Sequence, residues 1–187
     1  MRPAAEIAQL KRVLWPPGTE DLPSHIYAVL DGARSPTIWE RLKQGKVEYH
    51  CLFRGELSEP LAQAAPYLVY LPSWTDFTAW LLREAWGENW GIFLYSSANL
   101  DRLRTHFRRF LRVRDESRRN LYFRFYDPRV WRVYLPTCDE FELEYVFGPV
   151  REYFVEDEDP TQLRVFARGN NGLLQRQHRL TDAVAAV

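Results

Sequence analysis

The residues of this chain that could do chemistry are four histidines, two cysteines and two aspartates set at the ends of predicted elements. A metal centre needs ligands at close, regular spacing. His25, His50, His106 and His178 are dispersed instead, and no CxxC, HExxH or related pattern occurs, so neither a metal nor any other cofactor is expected. Cys51 directly follows His50, a pairing that suggests a thiol nucleophile beside its base. Neighbours on a strand point to opposite faces and cannot meet, which makes Cys51 a structural thiol. Cys138 lies far away in sequence. Two distant cysteines imply no disulfide framework, and reduced thiols suit a cytoplasmic protein.

The two aspartates are ambiguous. Asp31-Gly32 closes an apolar run, and strand ends are where α/β enzymes place acids; the same pair also makes an ordinary turn. Asp127, in Tyr126-Asp127-Pro128-Arg129, could be an isolated acid in a catalytic loop. Capping is the more economical account, because an N-cap aspartate before a proline stabilises a helix by about 1 kcal/mol without any chemistry. No recognisable catalytic apparatus surrounds either residue, so no catalytic residue is assigned and a non-enzymatic protein is expected.

Charge is segregated along the chain. Between Asp101 and Arg132 there are eleven arginines against four acids, and between Asp139 and Asp159 nine acids against the single base Arg151. Two accounts stand side by side. The stretches pair internally or lie on solvated faces, or they make a dipolar surface that steers and selects a partner. Arginine in place of lysine favours protein or phosphate recognition through its forked guanidinium.

These residues need elements to hold them. Helical spacing of Ile7, Leu10 and Val13-Leu14 predicts a helix over 4–14, stopped by Trp15-Pro16-Pro17-Gly18. The run 25–32 reads as a buried strand, and Pro36 opens a helix to 44 with Ser35 as its cap. Strands over 49–53, 67–71 and 90–95 then alternate with helical stretches over 56–65, 75–86 and 99–110. After that the rhythm changes. Segments 112–114 and 121–126 suggest an antiparallel pair around the polar turn 115–120. Helices through 134 and over 139–147 follow, then a last strand over 162–167, and the tail from Arg168 reads as loosely ordered. The fold class is α/β, with alternating strands and helices forming a helix-covered mixed sheet and a more helical C-terminal part. The chain divides into an N-terminal helix and Pro-rich connector (1–25), an α/β domain (26–150) and a short C-terminal extension (151–187).

Composition excludes several classes. A formal net charge of zero argues against a nucleic-acid binder. No apolar run approaches the ~20 residues that cross a bilayer, and no signal pattern opens the chain, so a cytoplasmic protein without a membrane partner is expected. Aromatic residues make up 15% of the chain, enough to fill a core and still leave interface anchors.

The ordered motifs resemble a known family. They are Tyr27-Ala28-Val29-Leu30-Asp31-Gly32-Ala33, Leu52-Phe53-Arg54-Gly55, Ala65-Pro66-Tyr67-Leu68-Val69-Tyr70-Leu71, and the pairs Trp86-Gly87 and Trp90-Gly91. The strongest likeness runs from Leu103 to Asp115 and through Phe123-Arg124-Phe125-Tyr126-Asp127-Pro128-Arg129-Val130 to Leu135-Pro136-Thr137. In this order they resemble the domain of unknown function family 4123 (DUF4123) over about 26–150. The resemblance implies an adaptor chaperone of the type VI secretion system. Such a protein binds a toxic effector, promotes its loading onto the spike protein VgrG, and carries no catalytic residues. Many members continue into a sizeable C-terminal region, whereas fewer than forty residues follow Val150 here. Candidate partner-binding residues are Trp74, Trp86, Trp90, Arg118, Arg119, Arg129 and Trp131, each of which is also readable as core or scaffold. Two alternatives remain open at this point: an immunity protein that neutralises a toxin, and a small enzyme using a strand-end aspartate.

Overall fold

Apolar runs without polar interruption need cover on both sides, and that requirement builds the architecture. A computed structural model describes residues 2–18, 25–114 and 117–181. Its strands are β1 (His25–Asp31), β2 (Tyr49–Cys51), β3 (Pro66–Tyr70), β4 (Gly91–Ser96), β5 (Arg112–Arg114), β6 (Asn120–Tyr122), β7 (Val150–Glu156), β8 (Gln162–Gly169) and β9 (Gly172–Arg179). Seven of them form one sheet in the order β2-β3-β1-β4-β7-β8-β9, and β5 pairs with β6 apart from it.

Alternation along β1 shows how the layers arise. Ile26, Ala28 and Leu30 enter one core layer, while Tyr27 and Val29 enter the other. Helices α1 (Ala4–Leu14), α2 (Pro36–Gln44) and α4 (Asp76–Glu84) cover the first face through Leu10, Leu14, Ile38, Leu42, Phe77 and Leu81. Helices α5 (Leu100–Phe107), α6 (Pro128–Tyr134) and α7 (Glu140–Phe147) cover the second through Leu103, Phe107, Trp131, Leu143, Val146 and Phe147. The short α3 (Glu59–Gln63) joins β2 to β3. The α/β class is therefore what the alternation predicts.

Helix starts follow the local chemistry. Ser35, Thr75, Asn99, Asp127 and Asp139 each accept a bond from a first-turn N–H, and Asp139 with Glu142 completes a capping box. Pro36 and Pro128 stand at the starts of their helices, where a missing N–H costs nothing.

Two expectations are corrected. Every pairing in the sheet is antiparallel, not mixed. The crossover units exist, since β1 and β2, joined through α2, both run opposite to β3 and hence parallel to each other. Each crossover leaves a one-strand gap that another strand fills in the opposite sense, so no parallel neighbours result. The C-terminal part is helical only as far as α7. Residues 169–179 are ordered: β8 and β9 form a hairpin closed by Asn170-Asn171 between the paired Gly169 and Gly172. β7 pairs with β4 on one side and β8 on the other, which carries the sheet on without a break. Residues 115 and 116 of the expected polar turn, and the tail from 182, lie outside the described residues.

Candidate partner-binding groove

The two aspartates singled out from sequence meet in one ion-pair cluster. Asp31, only 1% exposed, accepts a bond from the Ala33 N–H and pairs with Arg124. Asp127, 3% exposed, accepts from the Arg129 backbone N–H and from its guanidinium at 3.0 and 2.7 Å, with Arg34 at 3.8 Å. Burial pushes the Asp127 carboxyl up, but the bonds and charge of Arg129 and the charge of Arg34 outweigh it and hold the group below its ordinary value. Burial and the Asp31 charge push the Tyr126 hydroxyl up to about 12. A general acid or base works best when it titrates near the operating pH, and pairing moves Asp127 away from that range. Two acids against three arginines therefore read as a clamp joining β1 to the start of α6. Arg124→Ala, which leaves the Asp31 carboxylate buried without its charge partner, should cost about 2–3 kcal/mol in urea unfolding. Adding Asp31→Asn should recover most of that loss.

The remaining chemical candidates are structural in their surroundings. Burial pushes the Cys51 thiol up, away from the thiolate a nucleophile needs. His106 is buried with Nε2 3.0 Å from the Val146 carbonyl, and burial holds it down to about 4. Among the described residues no group of three or more His, Cys, Asp or Glu is placed to hold a metal, and no helix is long and apolar enough to cross a membrane.

The seven partner-binding candidates do not converge. Trp131 is fully buried among Phe125, Tyr134 and Tyr153, and Trp86 is buried with its indole N–H donating to the Pro160 carbonyl at 2.8 Å. Neither offers a surface in this fold. Trp90 is half-buried against Trp80, with centroids 5.9 Å apart. Arg129 is committed to Asp127. Trp74 is 81% exposed and borders a cleft of about 400 Å³ with Trp15, Tyr70 and Tyr95. Arg118 and Arg119 are exposed at the end of the β5–β6 hairpin, Arg118 with φ 60°.

That hairpin forms one wall of a groove which sequence reasoning did not single out. After α5 the chain turns, and the Arg108 guanidinium donates to the carbonyls of Cys51, Leu52 and Phe53 at 2.9–3.1 Å. The three carbonyls belong to the last residue of β2 and the two after it, so Arg108 fastens the start of the β2–α3 loop beside the hairpin. Between them lies a groove of about 610 Å³. Leu52, Phe53, Leu57, Leu61 and Leu111 supply its apolar lining, with Leu61 46% exposed. Tyr122, 63% exposed, stands on the hairpin with its ring 5.7 Å from Phe53 and with the Arg112 guanidinium 5.7 Å from the ring centre. Arg54, Arg108 and Arg112 contribute three positive charges, against Glu56 alone. Burial and the neighbouring Arg104 and Arg54 push Arg108 down from its ordinary value, as expected where cations crowd. The β5–β6 pairing was visible in the alternation of the sequence. Its meeting with Phe53 and Leu61 is tertiary and left no local signal.

No curated protein and no solved structure matches this chain. A family model does, over residues 26–145, which span β1 through most of α7, together with the strand-end clamp and both walls of the groove. With more than half of its length matched, the chain belongs to the family described as domain of unknown function (DUF4123).

Proposed function

We propose that this protein is a cytoplasmic, non-enzymatic adaptor chaperone that binds a type VI secretion effector and promotes its loading onto the VgrG spike. The secretion role is what the family resemblance implies. The observation that supports a binding module is the open groove, where Tyr122, Leu61 and Phe53 present apolar surface beside arginines. Exposed apolar surface rimmed by charge is what a protein-binding site requires. The acids an enzyme would use are instead closed into ion pairs.

The test is co-expression with the effector encoded beside it. The effector should be soluble with this protein and aggregate without it, and deleting the gene should silence delivery while the producing cell stays healthy. An effector equally soluble in both cases would overturn the chaperone reading. Self-poisoning on deletion would support an immunity protein instead.

A further inference from the structure

The geometry points to the chemistry of the segment that occupies the groove: an extended partner segment in which apolar side chains alternate with carboxylates. This deepens the adaptor reading and rests on it for the partner's identity, though not for the groove's chemistry.

Three observations carry it. The first is charge without a counterpart. Arg54 makes no hydrogen bond or ion pair among the described residues, and the one bond shown for Arg112 goes to the neutral Tyr122 hydroxyl at 3.5 Å. Arg108 spends its N–H groups on main-chain carbonyls, which satisfies its geometry without neutralising its charge. The second is the apolar surface lying among those charges. Leu61, 46% exposed, and Tyr122, 63% exposed, stand on opposite walls. Apolar side chains between the walls would cover both, while flanking carboxylates reach the guanidinium forks at the rim.

The third is the composition of the lining. A nucleotide would find cations here, yet most of the apolar lining is leucine, and base recognition would ask for flat aromatic platforms in series. An acidic, apolar strand satisfies both kinds of lining at once.

The experiment uses the full chain and two short labelled peptides followed by fluorescence anisotropy. One alternates leucine and phenylalanine with glutamate and aspartate; its companion carries lysine at every acidic position. The acidic peptide should bind at least about tenfold more tightly, and added salt should erode the difference. Arg54→Glu with Arg112→Glu should abolish that preference, and Tyr122→Ala should weaken binding of either peptide. All three side chains are exposed, so the fold should survive; a matching circular-dichroism melt checks this. Equal binding of both peptides, an unchanged preference in the double variant, or tighter binding of a single-stranded oligonucleotide would overturn the proposal. The same variants in the co-expression assay keep the two readings apart. Wild-type rescue that survives Arg54→Glu with Arg112→Glu sinks the groove and leaves the adaptor. Acidic-peptide preference without effector rescue does the reverse.

Discussion

Trp131→Ala should lower folding stability by about 3–5 kcal/mol, measured as a shift of the urea midpoint at unchanged slope. Trp131 sits on α6, facing the sheet, with centroids 5.1 Å from Tyr153, 5.8 Å from Phe125 and 6.0 Å from Tyr134. Rings are rigid and collapse poorly around a void. The helix that carries Trp131 is also anchored at its start by the Asp127 cap, so it cannot settle inward to refill the space. Trp131→Phe separates shape from polarity. The indole Nε1 has no hydrogen-bond partner among the described residues, so phenylalanine removes a buried, unpaired donor while keeping most of the packing. Its cost should be about 1–2 kcal/mol. Equal losses in the two variants would mean that the indole N–H is bonded, for instance by a buried water. A surface role for Trp131 predicts the opposite pattern, with partner binding lost at full stability.

What could be read along the chain was local chemistry. The Ser35 cap with Pro36, the Asp127 cap with Pro128, and the both-sides-buried β1 each follow from residues within one or two turns of each other. What could not be read was placement. β9 was missed because an edge strand can be polar on both faces, and Gln175-Arg176-Gln177 carry no apolar alternation. β7 was hidden by its acids: Glu152 and Glu156 flank Tyr153-Phe154-Val155, and the stretch drew attention as charge. Its acids do not act as one surface. Arg176 pairs with Glu152, Arg164 with Asp157, and Glu156 turns inward. Part of the segregation in sequence is thus internal pairing, while Arg54 and Arg112 of the groove keep an outward-facing remainder. The groove was illegible for the same reason as the sheet order. Phe53 and Tyr122 are sixty-nine positions apart, and only the fold brings their rings together.

Glu156→Gln should remove a pH dependence of stability that the wild type carries. Glu156 ends β7 and is buried; one oxygen accepts the Gly87 N–H where α4 is left behind, and the other has no hydrogen-bond partner among the described residues. Burial raises its pKa from 4.5 to about 7, although the Gly87 and Asn89 N–H groups and the charges of Arg132 and Arg2 all favour the carboxylate. The folded protein therefore holds a proton that the unfolded chain releases. This contribution is fully present below pH 4.5 and is lost as pH rises through 7, by about 3 kcal/mol in total. His106 acts in the opposite sense. Burial holds it down to about 4, so its contribution is present above 6.5 and lost as pH falls. The two windows overlap and partly cancel, which is why the raw profile of the wild type is a poor witness. The difference between variant and wild type isolates Glu156. Measured by urea unfolding, the stability of Glu156→Gln relative to wild type should stay level below pH 4.5 and climb by about 3 kcal/mol by roughly pH 8. A level difference across the whole range would mean that the carboxylate stays ionised inside the protein, with Arg2 or Arg132 moved onto its open oxygen.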